Sequence, residues 1–342
     1  MQTILVTGGT GYIGSHTAVE LINAGFNVII ADNLSNSEIE VLEGIQKITG
    51  VKPDFYEIDF SDETSTTQFF KQLPKLHAVI HFAAYKAVGE SVENPLKYYR
   101  NNLNSTINIL TGMLEIGIEY LVFSSSCTVY GQPELLPVTE NSPILKADSP
   151  YGNTKQISEE IILDTVNSTE LLKSISLRYF NPIGAHDSAE IGELPIGKPN
   201  NLVPFITQTA AGVREQLSIF GKDYDTPDGT AIRDYIHVVD LAKAHIVALN
   251  RLLNGRYKSK FEVFNLGTGR GNSVLEVVTT FENVCGLKLK YQFVDKRPGD
   301  IQKIWADVSL ANKELGWKTE KTLDEALLSA WNREKKYRGV QC

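Results

Sequence analysis

Tyr151 and Lys155 stand four apart behind Ser149-Pro150. A serine at the N-cap and a proline at the first helical position start a helix there, and the i, i+4 spacing puts phenol and ammonium on one face, a turn apart. Taken alone, such a pair reads as the solvated face of an amphipathic helix. Two other stretches supply context. Ser124-Ser125-Ser126-Cys127-Thr128-Val129-Tyr130 ends the apolar run Tyr120-Leu121-Val122-Phe123, so its hydroxyls either solvate a loop or face a cleft. Near the N-terminus, Ile4-Leu5-Val6 runs into Gly8-Gly9-Thr10-Gly11-Tyr12-Ile13-Gly14. The glycines let a tight turn adopt backbone angles other residues resist. They also bring main-chain amides close to a pyrophosphate and let the following helix pack on its strand.

The elements that must position these residues read as alternating strand and helix. Ile13, Ala18, Leu21 and Ile22 give the first helix an apolar side, Gly25 stands where a C-cap belongs, and Asn27 to Ala31 form a buried strand ending in Asp32. A carboxylate about 20 residues past the glycines accepts hydrogen bonds from a ribose and repels a 2′-phosphate, which favours NAD over NADP. A third strand, Lys52 to Ile58, closes with Asp59-Phe60, either an adenine contact or an ordinary strand end. In Ala78-Val79-Ile80-His81-Phe82-Ala83-Ala84 the small terminal residues suit a strand passing beneath a cofactor, and Lys86 follows as a phosphate or ribose contact or a solvated lysine. His77 and His81 flank this strand and are not expected to share a face, so no metal is expected. Pro95 opens a helix through Asn101 and Asn102 to about Met113, and Ser174 to Phe180 form a sixth strand. The order implies an α/β, Rossmann-type doubly wound parallel sheet, in which Tyr151 and Lys155 arrive over the nicotinamide one helix after the serine cluster.

At 342 residues the chain exceeds the usual single domain. Pro and Gly become dense beyond Asn181, so residues 1–180 are expected to form the nucleotide domain and 181–342 a smaller α/β lobe, with a strand near 261–266 returning to the first. A net charge of −8 and a pI near 5.4 argue against nucleic acid or an anionic membrane as main partner. Cys127, Cys285 and Cys342 have no C-x-x-C spacing, which excludes a disulfide framework and a zinc ribbon and suits a reducing cytoplasm. No apolar run nears the ~18 residues of a membrane helix, and no cleaved leader is expected before a strand that begins almost at Met1. The sequons at Asn33, Asn104 and Asn167 are read as chance.

Ser126, Tyr151 and Lys155 behind a glycine-rich turn resemble the catalytic set of the extended short-chain dehydrogenase/reductase superfamily. Several blocks are also similar to those of the UDP-glucose 4-epimerase family: Thr7 to His16, His81 to Ser91, Ser149-Pro150-Tyr151-Gly152, Arg178-Tyr179-Phe180-Asn181-Pro182, and Arg233-Asp234-Tyr235-Ile236-His237-Val238. The resemblance spans nearly the whole chain. It implies that Tyr151 removes the proton of a sugar 4-hydroxyl while C4 passes hydride to NAD⁺, that Ser126 holds that oxygen, and that Lys155 binds the nicotinamide ribose and stabilises the tyrosinate. A cation about 6 Å away at an effective dielectric near 20 supplies about 3 kcal/mol, roughly two units of a phenol pKa near 10.

The resemblance further implies NAD contacts at Gly8, Gly11, Tyr12, Ile13, Gly14, Asp32, Asn33, Asp59, Phe60, Phe82, Ala83, Ala84, Lys86, Asn101, Ser124 and Tyr179. For the UDP-hexose it implies Lys86, Phe180, Asn181, Asn201, Leu202, Phe220, Arg233, Arg297 and Asp300, the two arginines bringing positive charge to the diphosphate. Ile304 falls where Tyr goes with exclusion of N-acetylated sugars and Cys or Ser with their acceptance, so at most weak use of UDP-N-acetylglucosamine is expected. A homodimer joined by helices of the first domain is implied as well. A sugar-nucleotide 4,6-dehydratase or decarboxylase would need carboxylates where Cys127 and Thr128 stand, and a non-catalytic NAD-binding regulator would have lost Tyr151 or Lys155.

Overall fold

The chain first alternates β1 (Thr3–Thr7), α1 (Tyr12–Asn23), β2 (Asn27–Asp32), α2 (Val41–Thr49), β3 (Asp54–Glu57), α3 (Glu63–Gln72), β4 (Ala78–His81), α4 (Val88–Glu93), α5 (Pro95–Ile116) and β5 (Tyr120–Ser124). A 3₁₀ turn, Cys127–Tyr130, leads to α6 (Pro150–Ser168), β6 (Lys173–Tyr179), β7 (Asn181–Ile183), α7 (Leu202–Ala210), β8 (Leu217–Phe220), β9 (Ile232–Arg233), β10 (Tyr235–His237) and α8 (Val238–Leu253). Then come β11 (Phe261–Leu266), β12 (Asn272–Ser273), α9 (Val274–Cys285), β13 (Tyr291–Val294), β14 (Lys303–Ile304) and α10 (Leu323–Arg338). These assignments come from a computed structural model that describes residues 1–296 and 301–340.

Seven strands form one parallel sheet in the order β11-β6-β5-β4-β1-β2-β3. Successive strand side chains point to opposite faces, and both faces are covered. Ile4, Val6, Ile30 and Ile80 pack with Ala18 and Leu21 of α1 and Leu241 and Leu249 of α8. Leu5, Ile29 and Val79 pack on the other side with Phe70 of α3, Ile109 and Met113 of α5, and Ile162 of α6. The strand expected near 261–266 forms the sheet edge beside β6, and α8 also lies against this sheet, although both follow residue 181 in the chain. A second core gathers Val203, Ile206, Leu217, Val277, Phe281 and Trp331 from α7, β8, α9 and α10.

Local sequence explains the boundaries. Ser149 accepts from the Gly152 amide at 3.2 Å and caps α6. α5 runs on to Ile116, past Met113, until Gly117 takes φ 77° and ends it. β3 is shorter than Lys52 to Ile58, since Pro53 has no N–H to give the ladder. His77 and His81 both turn toward β1: His77 Nδ1 accepts from the Thr3 amide at 3.0 Å, and His81 Nδ1 lies 2.8 Å from Thr7 Oγ1. His77 stands just before β4 and its ring meets a backbone amide, whereas the His81 ring is buried against a side-chain hydroxyl. Among the described residues no group of three His, Cys, Asp or Glu could hold a metal, and no helix is long and apolar enough to cross a membrane.

Four histidines are buried within these layers. Desolvation lowers the pKa of His16 and His81 to about 3 and that of His237 and His245 to about 4. The native rings therefore stay neutral where the unfolded chain takes up protons, and stability present above pH 6.5 is lost as pH falls through the range down to about 4. Each ring withdraws about 1.4 kcal/mol per pH unit across that window. Thermal midpoints are expected to hold level from pH 8 to 7 and drop steeply below about 6.5; midpoints unchanged down to pH 5 would contradict neutral burial.

Candidate active site

The sheet reverses its winding between β1 and β4, and open α/β sheets bind ligands outside the carboxyl ends of such strands. The turn after β1 meets the end of β4 there. Gly8 has φ 69°, and a Cβ on it would stand 2.7 Å from the Ala83 nitrogen; a Cβ on Gly14 would run into the Gly8 carbonyl. Tyr12 and Ile13 are the first two residues of α1, so their amides have no acceptor within the helix. At the end of β2, Asp32 takes the Leu34 amide at 3.0 Å on Oδ1 and the Thr10 amide at 3.2 Å on Oδ2. Leu34 holds φ 56°, a left-handed conformation that bends the chain around this carboxylate. A glycine cradle, a helix N-terminus and an oriented carboxylate match a dinucleotide in donor chemistry.

One cleft runs from this turn to Tyr151. Every residue expected to contact NAD lines it: Gly8, Gly11, Tyr12, Ile13, Gly14, Asp32 and Asn33 at one end, with Asp59 and Phe60 beside them. Phe82, Ala83, Ala84, Lys86 and Asn101 follow, and Ser124, Tyr151, Lys155 and Tyr179 close the other end. Of the residues expected at the substrate, Ser126, Phe180, Asn181 and Asn201 line it too. Leu202, Phe220, Arg233 and Ile304 are not among the lining residues. Leu202 starts α7, Phe220 ends β8, and Arg233 on β9 stands within electrostatic reach of Cys127. Ile304, 1% exposed, lies in a cluster with Cys127, Val138, Phe180 and Ala306, two of which are cleft residues. Arg297 and Asp300 lie outside the described residues.

The catalytic candidates converge at the ends of β5 and β6. Lys155 Nζ donates to the Ser124 carbonyl at 2.6 Å, and the Ser124 hydroxyl lies 2.6 Å from the Tyr179 phenol. Burial and the nearby Tyr179 push the Tyr151 phenol far above its ordinary value, while a hydrogen bond with the Ser126 side chain pulls the other way. Burial lowers Lys155 to about 8 against the attraction of Glu159, leaving an ammonium at neutral pH. At the mouth, Glu193 Oε1 accepts from Lys86 at 3.2 Å and Asn201 at 2.6 Å.

Sequence reasoning missed several cleft residues. Ser37 meets Thr10 at 2.7 Å, and Ser35 and Asn36 share its loop; the signal was their position just past Asp32. Ser105 lines the wall one turn beyond Asn101, an i, i+4 relation that was legible. Asn102, noted only as part of a helix, braces the Tyr85 backbone at 2.9 and 3.0 Å and Thr154 of α6 at 3.0 Å. No local pattern marks that role.

Residues 4–267 match a family model described as the NAD dependent epimerase/dehydratase family. The chain is 51% identical over 330 residues to the UDP-glucose 4-epimerase of Bacillus subtilis, covering 96% of each. With the Drosophila melanogaster UDP-glucose 4-epimerase it shares 49% over 335 residues, 96% of this chain and 95% of the other. Among solved structures it resembles the Bifidobacterium longum UDP-glucose 4-epimerase in complex with NAD⁺ and UDP, at a TM-score of 0.94 and 45% identity over 98% of this chain and 99% of that one. With half of its residues identical to these relatives over nearly the full length of each chain, the chain belongs to the UDP-glucose 4-epimerase family.

Proposed function

We propose that this chain interconverts UDP-glucose and UDP-galactose at C4 through a 4-keto sugar, with NAD as its retained cofactor. The observation that carries the reading is that Tyr151, Lys155 and Ser126 open into the same cleft as the glycine turn and Asp32. When bound, NAD supplies the hydride acceptor and donor for C4. The phenol oxygen of Tyr151 takes the proton of the 4-hydroxyl and returns it, a transfer that general acid–base catalysis makes about 10²–10⁴-fold faster. The hydrogen bond between Ser126 and that phenol lowers its pKa and so favours the phenolate. Lys155 keeps a positive charge near neutral pH, and Asp32 accepts from the adenosine ribose. The cleft is the nucleotide site, and residues 181–342 bring sugar-nucleotide contacts, among which Arg233 and Arg297 are assigned to the diphosphate for their charge.

Rival chemistry on this scaffold lacks its groups. Elimination or decarboxylation needs a carboxyl acid–base pair beside Ser126. Cys127 stands there, its thiol pushed up to about 12 by burial, and Thr128 has only a hydroxyl. A homodimer and a cytoplasmic location belong to the same proposal. Leu96 and Ile107 on α5 and Leu163 on α6 offer exposed apolar surface for a second copy.

The purified protein, given UDP-galactose and no added cofactor, is expected to form UDP-glucose and to show the absorbance of bound NAD. Tyr151→Phe is expected to keep the cofactor and lose about 10²–10⁴ in kcat, and wild-type turnover in that variant removes the catalytic assignment. Sedimentation is expected to give twice the chain mass of 37.9 kDa, and a monomer at all concentrations rejects the dimer. With UDP-N-acetylglucosamine the wild type is expected to be slow. Ile304→Ser is expected to gain about tenfold in kcat/KM, the size of effect a few methylenes have on discrimination; no gain discards the gate at Ile304.

A further inference from the structure

Behind the cleft lies a buried charge pair that the reaction as described does not use. Glu159 is one turn beyond Lys155 on α6. Its Oε1 accepts from Ser125 Oγ at 2.6 Å, Ser176 Oγ at 2.7 Å and Arg178 Nε at 3.0 Å, while Oε2 accepts from Arg178 Nη2 at 2.6 Å. The partners are spaced tellingly. Ser125 lies between Ser124, whose carbonyl holds Lys155, and Ser126; Arg178 immediately precedes Tyr179, whose phenol meets the Ser124 hydroxyl. Successive residues along a strand end point to opposite sides, so gripping Ser125 and Arg178 from behind aims their neighbours into the cleft. Arg178 Nη1 also donates to the Tyr130 hydroxyl at 3.1 Å, which donates to Asn265 Oδ1 at 2.6 Å; Asn265 Nδ2 donates to the Val138 carbonyl at 2.9 Å. Val138 in turn exchanges backbone bonds with Trp305 and Asp307, flanking the segment that follows Ile304.

We propose that Glu159 is a positioning residue of the reaction: through Ser125 and Arg178 it holds the ends of β5 and β6 in register with the face of α6 that carries Tyr151 and Lys155. The arrangement suits the part. A fully hydrogen-bonded buried carboxylate tolerates little displacement, since any shift leaves a charge or a donor unpaired away from water. An apolar side chain could fill the same space without prescribing the angle between three elements. Glu159 also supplies negative charge near Lys155 from its own helix. The other groups against that ammonium are His81 on β4 and the Ser124 carbonyl and Phe123 ring on β5. Burial keeps His81 neutral near pH 7, so Glu159 is the one anion in this set.

The inference rests on the epimerase reading, and conversion of UDP-galactose by the wild type tests that reading separately. Given wild-type activity, Glu159→Gln is expected to retain NAD and to melt as a folded protein. Its kcat is expected to fall about tenfold or more with KM for UDP-galactose changed less than about threefold, the signature of a loss felt in the transition state. Loss of the charge also moves the alkaline limb of the kcat profile about one pH unit lower, because Lys155 must stay protonated and its proton is held less tightly. Glu159→Asp is expected to recover much of both. Ser125→Ala removes one grip without stranding a charge and is expected to lower kcat severalfold with the limb unmoved; it decides the matter should Glu159→Gln fail to fold. Wild-type kcat in Ser125→Ala, or a Glu159→Gln enzyme with an unmoved alkaline limb, overturns the proposal.

Discussion

Two pieces of backbone lie almost in contact at the centre of this protein, the turn after β1 and the end of β4, and the rest of the site depends on that approach. A Cβ on Gly8 would sit 2.7 Å from the Ala83 nitrogen, closer than side-chain atoms come to backbone. Gly14 is tied just as tightly to the Gly8 carbonyl, so α1 starts directly against the turn and presents the amides of Tyr12 and Ile13 to the cleft. Larger residues would push β1 from β4 at the switch point, where the sheet opens for a ligand. The apolar layers on both faces, with Ile4 and Val6 on one and Leu5 on the other, hold the strands at that separation.

Burial is the second constraint, and it acts in opposite senses on the two groups that matter. It raises the Tyr151 phenol and lowers the Lys155 ammonium, in each case disfavouring the charged form. The site offsets this with nearby polar groups. Ser126 hydrogen-bonds the phenol, the Ser124 carbonyl accepts from the ammonium at 2.6 Å, and Glu159 supplies compensating negative charge. The protein as a whole carries −8, so cationic groups at the cleft are local features against an acidic background.

That buried electrostatic arrangement is held by one ion pair, Glu159 with Arg178, whose side chains are 9% and 8% exposed. Removing one partner of such a pair typically costs about 3–5 kcal/mol, because the survivor is left charged and unsolvated. Stability alone does not call for it, since apolar replacements of a buried pair are often neutral or better. Its distinctive consequence is geometric, joining a helix face to two strand ends. The same chain of bonds continues through Tyr130 and Asn265 to Val138, beside the segment that bears Ile304.

The amino-acid sequence was enough to determine the sheet's parallel character, the glycine turn with Asp32 beyond it, and the pairing of Tyr151 with Lys155. These depend on short-range spacing: continuous apolar runs, a capped helix and an i, i+4 step, all of which survive in a linear string. Phe261–Leu266 was legible as a strand, but that it extends the sheet beside β6 required the fold. The boundaries of β3 and α5 differed by a few residues because Pro53 and Gly117, and not the apolar pattern, set them. Only the tertiary structure decided that Asn102 braces Tyr85 and Thr154, that Glu193 joins Lys86 to Asn201, and that Glu159 grips Ser125 and Arg178. The reason is physical: a buried polar side chain must find partners wherever the packed chain supplies them, and for Asn102 that partner lies 52 residues away, at a distance no local period encodes.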